Sequence, residues 1–290
     1  MISRRGLLIP GLLAVPAVMA QTTLAQTADN NIRTSLAGLE KDHGGRLGVC
    51  MLDVSSGRRI DRRGDERFAM CSTFKVLAAA LILSRVDQKQ ESLDRRIVYS
   101  AQQVVTYSPE TSKHADGDGM TLGEICKAGL TLSDNTAANL MLETFGGPPA
   151  LTQFARAIGD TVTRLDRMET ALNEATPGDP RDTTTPSAMA GNLQRIILGD
   201  VLSPQSRDQM IQWMTTNKTG DARLRAGLPG DWRIGDRTGS GAHAATNDIA
   251  VIWPKGRGPV IVTVYYAESS ASDNQRNEVL AAVGRLIANR

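Results

Sequence analysis

The chain has 290 residues, 41% apolar and 22% charged, which is enough for a large core and too apolar for a disordered chain. Its formal charge is +2, and Arg4 and Arg5 account for all of it, so the remainder is neutral. With only 4% aromatic residues as well, the chain has neither the basic footprint nor the stacking rings of a nucleic-acid binder, and no basic patch for an anionic membrane.

Residues 1–25 combine a basic start, an apolar stretch and small residues ending in A-V-M-A and then T-L-A. This is the pattern of an export signal cleaved after Ala20 or Ala25, and Ser3-Arg4-Arg5 before Gly-Leu-Leu resembles the twin-arginine type. Pro10, Gly11 and Pro16 interrupt the stretch, which argues against a stable membrane anchor. The expected location is therefore the periplasm or the cell exterior. Cys50, Cys71 and Cys126 lack metal-ligand spacing, and an odd number leaves at least one thiol free.

Residues 46–64 read as two strands about a Ser-Ser-Gly turn. Residues 70–86 are apolar on all sides with Ser72 and Thr73 near the start, so a buried helix is predicted. Further helices are predicted over 121–132, 136–146, 149–159, 186–199 and 203–217. Residues 163–186 are charged, aperiodic and contain proline and glycine, which predicts a long loop, and loops of that length are usually functional or disordered. WRIGDRTG, TNDIAVIWP and PVIVTVYYAE then read as strands and NQRNEVLAAVGRLIANR as a terminal helix. Strands at both ends with helices between them predict one antiparallel five-stranded sheet flanked by helices, with an all-helical domain inserted. The expected division is 26–64 and 217–290 for the α/β part and 65–216 for the helical part, including a loop at 164–182.

Ser72 and Lys75 are three apart, which on a helix puts a hydroxyl and an ammonium on one face. A serine becomes a nucleophile beside a base, and a desolvated lysine can serve. In isolation the pair reads equally as a helix cap and a snorkelling lysine, but Lys75 sits in an otherwise apolar helix, where a charge is costly unless paired. Ser133-Asp134-Asn135 would cap the next helix; it could also relay a proton and bind an amide. Glu169 with Asn173 four residues on can hold one water between carboxylate and carboxamide, or can be solvated loop residues. The three histidines, His43, His114 and His243, are scattered, and H-A-D-G-D (114–118) reads as a loop rather than a zinc site.

Taken together, S-x-x-K at 72–75, S-D-N at 133–135, R-L-D-R-x-E-x-x-L-N at 164–173 and R-T-G at 237–239 resemble the class A β-lactamases, in order and spacing, over roughly 30–290. The resemblance implies the β-lactamase/transpeptidase-like fold and a monomer that hydrolyses penicillins and cephalosporins without cofactor or metal. It implies Ser72 as the acylated nucleophile, Lys75 and Glu169 as candidate acylation bases, and Glu169 with Asn173 as holders of the deacylating water. Ser133 would protonate the leaving nitrogen, Asn135 would bind the substrate side chain, and Tyr107 would wall the cleft mouth. The backbone N–H groups of Ser72 and Ser240 would form the oxyanion hole, and Arg167 with Asp182 would close the loop. Arg237, Thr238 and Arg223 would meet the substrate carboxylate, with Gly239 leaving room for substrate.

Two departures stand out. The family's usual Lys-Thr-Gly is Arg237-Thr238-Gly239, and the arginine often found on the next strand is Thr246. A subset of the family with arginine at the first of these positions is associated with carbenicillin hydrolysis. The family's two cysteine pairings have Gly241 and Ala79 where partners of Cys71 and Cys126 would stand, so no disulfide is expected. Two rivals are a DD-peptidase, which the Glu169 loop opposes, and a catalytically dead sensor, which needs a broken core motif.

Overall fold

The computed structural model describes residues 15–289, with side chains from residue 26 onward. The export-signal reading falls on residues 1–14, outside the described residues, and on 15–25, where only the backbone is described. Helix α1 (Val15–His43) was not foreseen in the sequence, and it leads into strands β1 (Arg46–Asp53) and β2 (Arg59–Arg62). After the two-residue strand β3 (Phe68–Ala69) comes a 3₁₀ turn, Cys71–Phe74, continuing directly as α2 (Lys75–Asp87). The short strands β4 (Arg96–Ile97) and β5 (Met120–Thr121) pair with each other ahead of α3 (Leu122–Thr131), α4 (Asn135–Glu143) and α5 (Pro148–Ala157). Strand β6 (Thr183–Thr184) pairs with β3, and α6 (Pro186–Leu193) follows, then α7 (Pro204–Thr215). Strands β7 (Arg233–Ser240), β8 (Thr246–Trp253) and β9 (Val260–Ala267) and helix α8 (Asp273–Ala288) complete the chain.

The main sheet has the order β2-β1-β9-β8-β7, every neighbour antiparallel. Strands from the two ends of the sequence meet at β1 and β9, where Arg46 pairs with Ala267 and Asp53 with Val260. This is the predicted five-stranded sheet, and β7 is one of its edges, opposite β2.

Period-2 alternation sends the two faces of the sheet into two cores. Leu47, Val49, Met51, Val260, Val262, Val264 and Tyr266 pack with Ile32 and Leu36 of α1 and Val279, Leu280, Val283 and Ile287 of α8. Ile249, Val251, Ile261 and Tyr265 point the other way, into a larger core with the residues of α2, α3, α4 and α6. Helix α2 is central there: Val76, Leu77, Ala78, Ala79, Ala80 and Ile82 are all fully buried, the all-round burial its sequence predicts.

The 163–186 segment is less irregular than its sequence suggests. It holds a 3₁₀ turn at Ala171–Glu174 and, at its end, β6. Asp182 organises it: Oδ1 accepts the backbone N–H groups of Asp166 and Arg167, Oδ2 accepts Arg167 Nε at 2.6 Å, and its own carbonyl accepts Met70 N–H at 2.9 Å. The loop is thus tied to the backbone two residues before Ser72. Asp182 is fully buried, so removing Arg167 would strand a carboxylate.

Candidate active site

The turn that carries Ser72 sits in a strained backbone setting. Cys71 has φ 46°, in the left-handed region that costs a non-glycine residue energy unless its surroundings hold it there. Strand β7 supplies that support, because a Cβ on Gly239 would lie 2.8 Å from Met70 O and 3.2 Å from Cys71 Cβ. The missing side chain at Gly239 therefore lets β7 pack directly against the turn that carries Ser72. In a 3₁₀ turn residues three apart eclipse, which brings Ser72 and Lys75 to one side.

Lys75 is fully buried, and its Nζ has three near acceptors: Ser133 O at 2.9 Å, Asn135 Oδ1 at 2.8 Å and Glu169 Oε1 at 3.0 Å. Ser133 Oγ is farther, at 3.5 Å. Three acceptors match the three protons of an ammonium. Burial pushes Lys75 down from 10.5 to about 8, against the pull of the Glu169 carboxylate. Ser72 is 7% exposed, and its hydroxyl donates to Glu169 Oε1 at 3.3 Å.

Glu169 reaches this point because its backbone is clamped. Asn139 donates Nδ2 to Glu169 O at 2.9 Å and accepts Glu169 N–H through Oδ1 at 2.8 Å. Asn173 Nδ2 donates to Glu169 Oε2 at 2.5 Å, while Asn173 Oδ1 is buried with no hydrogen-bond partner among the described residues. A buried acceptor left unmet costs ~1–3 kcal/mol, which a small polar molecule beside Glu169 would recover.

Asp134 caps α4 and holds the opposite wall. Its carboxylate accepts N–H groups from Glu110, Thr111 and Ala137 and the Thr111 hydroxyl. Asn135 Nδ2 donates to Thr106 O at 2.9 Å and Asn135 N–H to Tyr107 O at 3.0 Å, so the Tyr107 segment is pinned to the Ser-Asp-Asn turn. Tyr107 itself is 59% exposed, a ring at the surface with φ 63°.

From β7, Arg237 enters the cluster fully buried. Its Nη2 donates to Ser133 Oγ at 2.5 Å, and Nη1 lies 3.4 Å from both Thr219 Oγ1 and Thr238 Oγ1. Burial lowers even this guanidinium, to about 10, with Glu169 and Asp236 opposing. Arg223 lies beside the end of the same strand. It donates to Gly239 O at 2.9 Å, Asn247 O at 2.6 Å, Ser240 Oγ at 2.7 Å and Asn277 Oδ1 at 3.0 Å, so it braces the ends of β7 and β8.

Ser72, Lys75, Ser133, Asn135, Glu169, Asn173, Arg237 and Thr238 thus form one hydrogen-bonded group, with Gly239 against the Ser72 turn and Ser240 at the end of the same strand. Sequence reading missed Asn139, Asn217, Thr219 and Asp236. Asn139 had a usable signal, since it lies four residues after Asn135 and so on the same helical face. Among the described residues no cluster of His, Cys, Asp and Glu could hold a metal, and no helix is long and apolar enough to cross a membrane. Cys50, Cys71 and Cys126 are free and buried.

Residues 30–290 match the family model described as the β-lactamase enzyme family. The chain is 50% identical over 271 residues to β-lactamase L2 of Stenotrophomonas maltophilia, covering 93% of this chain and 88% of that one. It is 46% identical over 274 residues to β-lactamase OXY-1 of Klebsiella oxytoca, covering 94% of each. Among solved structures, an ancestral class A β-lactamase superposes with a TM-score of 0.88 at 63% identity, over 89% of this chain and 99% of the other. On its fold, the residues gathered in its cleft and these likenesses over nearly its whole length, the chain belongs to the class A β-lactamases, serine enzymes of the β-lactamase family.

Proposed function

We propose that the chain opens the β-lactam amide of penicillins and cephalosporins through an acyl-enzyme on Ser72, with Glu169 as the base in both half-reactions. The observation that carries this is the placement of one carboxylate oxygen, Glu169 Oε1, 3.3 Å from Ser72 Oγ and 3.0 Å from Lys75 Nζ. In acylation Ser72 Oγ attacks the lactam carbonyl while its proton passes to Glu169, and the negative charge on the carbonyl oxygen is met by the N–H groups of Ser72 and Ser240. One such donor is worth ~10²–10³ in rate. Ser133 Oγ gives its proton to the lactam nitrogen as the C–N bond breaks, and Lys75 and Arg237, both donors toward Ser133, stabilise the serine oxygen as that proton leaves.

The proton that Glu169 took from Ser72 passes through Lys75 Nζ to Ser133 Oγ, which restores the Ser133 hydroxyl and the Glu169 carboxylate. In deacylation a water between Glu169 and Asn173 gives a proton to Glu169 and attacks the ester, and Glu169 passes that proton to Ser72 Oγ as the ester C–O bond breaks. The buried, unpartnered Asn173 Oδ1 supports that water position. Asn135 and the Tyr107 wall receive the substrate side chain, and Arg237, Thr238 and Arg223 form the carboxylate end. We take the working unit to be a monomer, as the family resemblance implies, and the sequence pattern of residues 1–25 supports export to the periplasm.

The test is Glu169→Ala incubated with benzylpenicillin. A mass adduct of one penicillin on Ser72 accumulates in the variant and not in the wild type, and Ser72→Ala forms none. A stable wild-type adduct would indicate a peptidase-like enzyme instead. Turnover of carbenicillin beside benzylpenicillin measures whether Arg237 extends the range to the second carboxylate.

A further inference from the structure

Behind β7 runs a chain of buried polar contacts that the scheme above leaves unused. Asp236 is fully buried, and its Oδ1 accepts from Arg225 Nη2 while Oδ2 accepts from Asn217 Nδ2 at 2.7 Å. A carboxylate only accepts, so this contact fixes the Asn217 amide with Oδ1 on the opposite side. That Oδ1 accepts Thr219 N–H at 3.1 Å and the Thr219 hydroxyl at 2.9 Å. Thr219 Oγ1 in turn lies 2.5 Å from Thr238 Oγ1.

Counting protons gives the direction. Thr219 has one hydroxyl proton and gives it to Asn217, so in the resting protein Thr238 must give its own to Thr219. A substrate carboxylate brings no proton, and Thr238 can bind it only by turning its proton outward. Two oxygens 2.5 Å apart with no proton between them repel, so Thr219 must turn at the same moment and donate to Thr238. The hydroxyl pair therefore has two arrangements, one facing Asn217 and one facing the substrate. Gly220 keeps the device assembled, since any Cβ there would collide with Asp236 Oδ2 and lie 3.1 Å from Asn217 Nδ2.

We propose that Asn217 and Asp236, both buried behind the cleft, are positioning residues that hold Thr219 so that its hydroxyl backs Thr238 when an anionic substrate group arrives, which makes Thr219 a determinant of preference for carboxylate-bearing lactams. This rests on the reading of Thr238 and Arg237 as the carboxylate end. Thr219 is half-buried and close in shape to valine, so its variants preserve packing.

The experiment compares kcat/KM for a penicillin free acid and its methyl ester in wild type, Thr219→Val, Thr219→Ser and Asn217→Leu, with thermal melts as a folding control. The expected result is a wild-type preference for the acid that falls three- to tenfold in Thr219→Val, mostly through KM, and returns in Thr219→Ser. Asn217→Leu should lower the same preference, and adding Thr219→Val to it should cost little more, since both act through one relay. If wild type shows no preference for the acid, the carboxylate end itself is misassigned. If wild type prefers the acid and Thr219→Val keeps that preference in full, the relay is refuted. The Thr219 arms decide the matter even if Asn217→Leu fails to fold.

Discussion

The charge state of Lys75 makes the two candidate acylation bases distinguishable by the sign of a pH dependence. Lys75 Nζ has three acceptors and titrates near 8, while Glu169 Oε1 holds the Ser72 hydroxyl. If Glu169 takes the Ser72 proton and Lys75 acts as an ammonium, acylation needs Lys75 charged. The charged fraction for a group of pKa about 8 falls from about 0.9 at pH 7 to about 0.1 at pH 9, so the acylation rate should drop about tenfold over that interval. If neutral Lys75 were the base, the rate would climb about tenfold instead. Arg237 titrates near 10, above this window, and does not blur the limb. The measurement is the single-turnover acylation rate of the wild-type enzyme with a slow cephalosporin between pH 6 and 9.5, quenched and read by mass. An acylation rate that rises through pH 8 would refute the assignment of Glu169 as the acylation base. Stability should move the other way. A lysine lowered from 10.5 to about 8 destabilises the fold by about 3 kcal/mol below pH 8, and that cost fades as pH rises toward 10.5. A wild-type protein more stable relative to Lys75→Met at pH 9 than at pH 7 would agree.

Replacing Arg237 by alanine removes a charge-assisted donor to Ser133 Oγ, worth ~1.5–3 kcal/mol, so kcat/KM for benzylpenicillin should fall by roughly 10- to 150-fold, while Arg237→Lys should stay within about tenfold of wild type. Equal activity in all three would leave the anion to Arg223 alone, although that guanidinium already donates to Gly239 O, Asn247 O and Ser240 Oγ. Gly241→Cys should form a disulfide with Cys71: a Cβ at 241 lies 2.7 Å from Cys71 Sγ, within bonding reach once the backbone eases it off Asn173 O, also 2.7 Å away. Burial pushes the Cys71 thiol up to about 12, so the bond should form during folding. Thiol titration of the denatured variant should find two thiols before reduction and four after, and four before reduction would refute the geometry. Asp248 is fully buried, with Oδ1 unpartnered among the described residues, and burial beside Asp236 raises it well above 3.8. A raised carboxyl contributes stability below its unfolded pKa and loses it as pH rises through the folded one. Asp248→Asn should therefore match wild type in denaturant midpoint near pH 4 and exceed it at pH 7, and a gap independent of pH would count against the burial argument.

What could be read from the chain alone was set by periodicity and by residue type. The strands β1, β8 and β9 and the helix α2 have apolar patterns that state their burial outright, whereas β7 buries Asp236, Arg237 and Thr238, and β1 meeting β9 follows once strands lie at both ends. Helix α1 was overlooked because Thr22, Thr23, Thr27, Asp29, Asn30 and Asn31 are weak helix formers, and its hold on the sheet comes from Ile32, Leu36 and Leu39 in the core and from Glu40, which accepts Leu47 N–H and pairs with Arg62. The loop over 163–186 has no period because its order comes from Asp182 and Asn139 reaching backbone groups, contacts that leave no spacing in the sequence.

The same distinction runs through the site. Ser72, Lys75, Ser133 and Glu169 were legible because their chemistry is rare in those settings: a lysine inside an apolar helix must have a partner, and Glu169 is that partner. Arg237 was legible as a cation and misleading as to its neighbours, since its nearest acceptor is Ser133 Oγ. Asn217, Thr219 and Asp236 were not legible at all. Each is an ordinary turn or strand residue until β7 is laid against the Asn217–Gly220 turn, and only then do an amide, a carboxylate and two hydroxyls line up. The reacting groups are therefore local features of the sequence. The groups that aim them come from segments brought together by the fold, as where Thr219, outside every motif, meets Thr238 of the Arg-Thr-Gly strand.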